Sequence, residues 1–133
     1  MNFETTEKID FYLPKVKAFV EDHVIPVEKE IHAQDRPLEE RWQPHPELEP
    51  LKEEAKKQGL WNLFLPDSEL GAGLSNFEYA HLAEQMGRTT FASEAMNCSA
   101  PDTGNMEVLV RYGSNEQQDQ WLKPLLNLSL IHI

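Results

Sequence analysis

The 133 residues are one domain's worth of chain, enough for a single core and too few for a large multidomain enzyme. Hydrophobic residues make up 40% and charged residues 26%, the balance of a globular protein rather than a disordered one. The formal net charge of −11 argues against nucleic acid or an anionic membrane as the main partner, because phosphate contacts need clustered Lys and Arg.

A single cysteine, Cys98, rules out an intrachain disulfide framework and fits a reducing compartment. No apolar run approaches the length of a membrane span. The start, Met1-Asn2-Phe3-Glu4, lacks the basic residues of a signal peptide, and no Arg-rich, Ser-rich leader follows. The expected location is therefore cytoplasmic.

The first helix is predicted from Ile9, Leu13, Val16, Val20, Val24 and Val27, whose spacings are all three or four. Pro14 is expected in its first turn, where the missing N–H is tolerated, and Pro26 is expected to kink a helix that resumes through Ile31. From Ala33 to Pro46 the pattern gives way to a proline-punctuated connection. A second helix is predicted over about Glu47–Gln58, with Leu48, Leu51 and Ala55 inward and Glu53–Lys57 as an i,i+4 pair outside. Gly59 ends it and Leu60 follows as the hydrophobic residue after a glycine cap. Leu60 to Leu65 reads as a buried extended segment, since no partner strand lies nearby, and Pro66 to Gly73 as a loop.

Ser75-Asn76-Phe77-Glu78 is a capping box, with the serine oxygen accepting from the Glu78 N–H while Glu78 reaches back to the Ser75 N–H. The helix it opens is predicted to stop at Gly87. The stretch Asn97–Tyr112 begins with small residues and turns into a run in which Met106, Leu109 and Val110 share one helical face. Ala95, Ser99 and Thr103 recur every four residues and are expected to align along one side of that helix. Pro101 means that the helix either bends or starts there. A small-residue face suits tight packing against a second helix, or a wall beside a bound chain. Gly113 is expected to stop the helix in the left-handed conformation. Ser114-Asn115-Glu116-Gln117 repeats the capping device ahead of a last helix that carries Trp121 and Leu122 before Pro124. The whole reads as all-α.

No catalytic constellation and no metal site is completed by these residues. Gly71-Ala72-Gly73 continues into Leu74, Ser75 and Asn76, so the dinucleotide fingerprint fails at its third glycine. The five histidines are scattered, with no His-x-x-x-His pair, and His81 reads as a packed or surface residue. Cys98 has no basic neighbour in sequence to lower its pKa and reads as an inert small residue.

Taken in order, Gly59-Leu60-Trp61, Leu65-Pro66, Gly71-Ala72-Gly73-Leu74 and Glu84-Gln85-Met86-Gly87-Arg88 resemble the N-terminal helical domain of the flavin-dependent acyl-CoA dehydrogenases. Tyr112-Gly113, Gln117, Trp121-Leu122 and Pro124-Leu125-Leu126 continue the match, which covers about Phe11 to Asn127. The stretch Asn97–Leu109 resembles a branch that handles long-chain or unusual acyl-CoAs.

The resemblance implies an all-α, N-terminal helical-bundle domain over residues 1–127, without the family's middle β-domain and C-terminal four-helix bundle. It implies that the helix of the small-residue stretch lines the acyl tunnel, with Ala95, Cys98, Ser99, Ala100 and Thr103 as substrate-binding residues. Small side chains there imply a deeper or wider tunnel and a longer or bulkier acyl group. The resemblance further implies a parent reaction of α,β-desaturation of acyl-CoA with FAD, an electron-transfer flavoprotein that collects the electrons, and a homo-oligomeric parent. The catalytic glutamate and the flavin motifs belong to the absent domains, so this chain alone is expected to be inactive. Residues 128–133 depart from the family and read as the translation of a sequencing-adapter end, an expected non-native tail. The alternative is a stand-alone helical module that docks a protein through the small-residue face and Trp121.

Overall fold

The computed structural model describes residues 4–40 and 42–127; the tail expected to be non-native lies outside them. Helices and turns make up the described residues, with no strand among them. Helix α1 (Glu7–Phe19) starts at Thr6, whose hydroxyl accepts from the Ile9 N–H at 3.3 Å, with Glu7 and Asp10 in the first turn facing the positive helix end. It buries Ile9, Val16 and Phe19. Because the helix opens at Glu7, Pro14 falls inside it and not in its first turn. The ring sits on the exposed face, so the missing hydrogen bond is lost where water can replace it.

Pro26 is handled differently from the kink expected of it. Val20–Val24 forms a π-turn, and the Ile25 N–H reaches back five residues to the Val20 carbonyl. Helix α2 (Ile25–His32) then begins with Pro26 in its first turn. Widening the turn one residue ahead of the proline makes room for a ring that would otherwise strike the preceding turn. The same solution recurs near the other end of the chain, where Gln118–Leu122 is a π-turn ahead of Pro124.

Helix α3 (Leu48–Lys57) buries Leu48, Leu51 and Ala55, as its spacing predicts. Its outer face pairs Glu53 with Lys56 at 3.0 Å and Glu54 with Lys57 at 3.3 Å, so the ion pairs are i,i+3 and not the expected Glu53–Lys57. Gly59, at φ +70°, closes the helix: its N–H donates to the Lys56 carbonyl and the Leu60 N–H to that of Ala55. Leu60 to Leu65 is not extended. Asn62 takes φ +56° and the Leu65 N–H returns to the Asn62 carbonyl, so the segment is a tight turn that buries Leu60, Leu63, Phe64 and Leu65.

Helix α4 (Asn76–Met86) carries the predicted capping box, with Ser75 and Glu78 satisfying each other's backbone donors. It lies along α1, tied by Thr6 Oγ1 donating to Glu78 Oε1 at 2.7 Å and Lys8 Nζ donating to the Gly73 carbonyl at 2.5 Å. Helix α5 (Ala92–Ala95) is one turn long and packs on α3, where Lys52 bridges to Glu94 at 3.2 Å. Helix α6 (Asp102–Tyr112) ends at Gly113, which has φ −70° and not the left-handed value expected. Glycine is needed there because a Cβ would press on the Leu109 carbonyl. Ser114 and Gln117 form the second capping box, opening α7 (Asn115–Gln117), and α8 (Lys123–Leu126) completes the order. One core joins Phe19, Val20, Leu60, Leu82, Met96 and Leu122.

Candidate functional site

The small-residue stretch is not one helix. Helix α5 stops at Ala95, α6 begins at Asp102, and Met96–Pro101 is an irregular link with a cis Ala100–Pro101 bond. Ala95, Ser99 and Thr103 therefore do not align along a single helical face. Of the two options that Pro101 allowed, the helix starts there.

The break is made by Asn97. At φ +53° its N–H donates to the Glu94 carbonyl and the next N–H, of Cys98, to that of Ser93. This repeats the hydrogen-bonding pattern at Gly59, with asparagine, the other residue that tolerates the left-handed region, in place of glycine.

Asn97 and Asn62 are the buried polar residues of the described chain, 4% and 6% exposed. Asn97 Nδ2 donates to Asn62 Oδ1 at 2.7 Å and to the Leu125 carbonyl at 3.1 Å. Asn62 Nδ2 donates to the Leu126 carbonyl at 3.1 Å, which also accepts from Trp61 Nε1 at 2.7 Å. The Asn62 N–H donates to the Met96 carbonyl at 3.2 Å. The turn after α3, the link after α5 and the end of α8 are thus joined by one hydrogen-bonded network. Sequence reasoning missed it; the one available signal was two asparagines in apolar surroundings.

The five candidate residues sit at different depths. Ala95 is wholly buried in the core, and Cys98 is 8% exposed. Ser99 is half-buried and Ala100 exposed in the link, and Thr103 is half-buried in the first turn of α6, so small side chains run along this outer edge. The Cys98 thiol donates to the Met96 carbonyl at 3.3 Å. Burial pushes this thiol up to about 11, against smaller opposing effects of the Phe64 and Leu63 backbone and the Tyr79 hydroxyl. It is protonated at neutral pH and no nucleophile. The Tyr79 hydroxyl is itself pushed upward by burial.

Beside the link, a cleft of about 190 Å³ opens between the Leu65-Pro66-Asp67 turn and Glu107, Val110 and Arg111 of α6. Thr103 lies one helical turn before Glu107 on the same stripe. The five candidates do not themselves line the cleft. A second, more polar cleft of about 350 Å³ lies on the connection between α2 and α3, between Gln34-Asp35-Arg36-Pro37-Leu38 and His45.

The Gly71-Ala72-Gly73 loop does not fit a flavin pyrophosphate. The Gly71 and Gly73 N–H groups both donate to the Asp67 carbonyl, and the Asp67 carboxylate accepts from the Glu69 and Leu70 N–H groups at 2.8 Å. Four of the loop's backbone donors, both glycines' among them, are thus taken by Asp67 itself rather than turned toward a phosphate. His81 packs edge-on against the Phe77 ring at 5.0 Å. Among the described residues no cluster of three metal-ligating side chains occurs, and no helix is long and apolar enough to cross a membrane.

Residues 6–129 match the family model "Acyl-CoA dehydrogenase, N-terminal domain". Mouse acyl-CoA dehydrogenase family member 10 is 56% identical over 113 residues, covering 81% of this chain and 10% of that protein. Chicken acyl-CoA dehydrogenase family member 11 is 52% identical over 127 residues, covering 93% of this chain and 16% of that protein. A solved structure from Mycobacterium abscessus, assigned to the acyl-CoA dehydrogenases, superposes with a TM-score of 0.86 at 49% identity, covering 93% of this chain and 32% of that one. The chain thus spans a tenth to a third of the length of these relatives.

Proposed function

Because the chain belongs to the acyl-CoA dehydrogenase family, as that family's N-terminal helical domain, we propose that it forms one wall of the acyl tunnel in an enzyme that desaturates acyl-CoA thioesters between Cα and Cβ. The observation that carries this reading is the small, partly open edge formed by Ser99 and Ala100 of the link and Thr103 in the first turn of α6, next to the buried Ala95 and Cys98. Small side chains on a fixed backbone leave room for methylene groups, each of which gains about 0.8 kcal/mol on leaving water.

The domain's contribution is shape and exclusion of water. FAD supplies the hydride-accepting chemistry of the parent enzyme; the Gly71-Ala72-Gly73 loop does not fit its pyrophosphate, and none of the described residues is assigned a step in the reaction. Acyl-CoA as substrate, an electron-transfer flavoprotein as electron acceptor, and self-association of the parent belong to the same reading.

The second reading is a stand-alone module that docks a protein, favoured by the exposure of Trp121 (43%) and Tyr112 (79%). Independent sequencing of the gene beyond codon 127 separates the two. Continuation into a flavin-binding β-domain supports the tunnel wall, and a stop codon overturns it in favour of the module.

A further inference from the structure

We propose that Asn62 and Asn97 are positioning residues for acyl-chain selection, holding Cys98, Ser99 and Ala100 at a fixed depth through their shared amide network. The proposal rests on the reading of that link as tunnel wall.

The chain contains its own comparison. Helix α3 is closed by Gly59 with the same backbone pattern that Asn97 gives α5, and a Cβ on Gly59 would meet nothing within 4 Å. Ending a helix here therefore needs no side chain. At Asn97 the side chain is present, 4% exposed, and spends both amide protons on distant acceptors: Asn62 Oδ1 and the Leu125 carbonyl. Asn62 is left-handed as well, and its backbone and side chain grip the link (Met96 carbonyl) and the end of α8 (Leu126 carbonyl) respectively. A buried network of amide hydrogen bonds holds its members to a narrow set of geometries, because leaving a buried donor or acceptor unpaired is costly. The residues it fixes in register are the ones immediately before Ser99. Loosening it would let the wall move without removing any wall residue.

The test uses glycine variants, which keep the left-handed backbone and delete only the amide. In this chain, Asn97→Gly and Asn62→Gly are expected to raise maleimide labelling of Cys98 by about ten-fold through local opening, with the double variant no faster than either single one. In the full-length dehydrogenase that carries this domain, both are expected to lower kcat/KM for long acyl-CoAs about ten-fold while kcat for short ones holds. Ile31→Val, a core change away from the network, should move the melting temperature but neither readout. Should the glycine variants fail to fold, Trp61→Phe, which removes one donor to the Leu126 carbonyl, is read the same way with smaller effects. Unchanged Cys98 labelling overturns the network as a positioning device. Raised labelling with an unmoved chain-length profile overturns the link to selection, and Ser99→Phe assigns the fault. If Ser99→Phe alters the profile, only this proposal falls; if it too is silent, the tunnel-wall reading falls with it.

Discussion

A Cβ placed on Gly71 would land on the backbone carbonyl of Leu65, with the Leu65 side chain also too close. The first glycine of Gly71-Ala72-Gly73 is thus explained by the closure of its own loop, not by a ligand. Gly71→Ala is expected to cost about 1–3 kcal/mol, the scale of overpacking. Gly104→Ala is the opposite case: it lies within α6, and a Cβ there meets nothing within 4 Å. It should gain about 0.4–1 kcal/mol by restricting the unfolded chain. Urea midpoints of the two variants check both signs, and a neutral Gly71→Ala would contradict the close approach.

The purified chain is expected to bind no flavin. The loop donors that would serve a pyrophosphate are bonded to Asp67. Equilibration with FAD followed by desalting should leave a colourless protein, and a stoichiometric flavin spectrum would refute this.

What could be read from the sequence was local. The capping boxes at Ser75 and Ser114 and the glycine cap at Gly59 involve residues within one or two turns, so spacing alone determines them. The inward face of α3 was equally legible. At the split between α5 and α6, Pro101 offered the start of α6, but the end of α5 was hidden, because Asn97 is supported in its left-handed conformation by Asn62 and Leu125, 35 and 28 residues away. Periodicity carried Ala95, Ser99 and Thr103 across a break that it could not register. The π-turns ahead of Pro26 and Pro124 were hidden for a related reason, since a single widened turn leaves the apolar spacing almost intact. The small-residue stretch was visible in the sequence, and the different depths of its side chains were not.

Cys98 should be unreactive toward thiol reagents in the native chain at pH 8 and fully reactive in urea. Its folded pKa is raised from 9.0 to about 11, so the folded state keeps its proton where the unfolded state loses it. The associated stability is complete below pH 9 and falls as pH rises toward 11. Cys98→Ala should flatten that alkaline slope; an unchanged slope would mean the thiol is not the group responsible.

On the acid side, Glu78 is held below its ordinary carboxylate range by the Ser75 N–H and then by the Thr6 hydroxyl. A depressed folded pKa gives stability that is present above the unfolded value of about 4.5 and lost as pH falls through the folded one. Glu78→Gln should therefore reduce the loss of melting temperature below pH 4.5 while leaving the fold intact. An identical acid profile in the variant would assign the slope to other carboxylates.

Ser99→Phe in a full-length dehydrogenase that carries this domain probes the proposed tunnel wall most directly. Ser99 is half-buried at the edge of the link, so a ring can extend outward from it, whereas at the wholly buried Ala95 a ring would disrupt the core. If Ser99 faces the acyl chain, short acyl-CoAs should keep their kcat, while kcat/KM falls steeply beyond a cutoff length, at about 1–3 kcal/mol per excluded methylene. Equal loss of activity at every chain length would contradict the assignment and return Ser99 to a packing role.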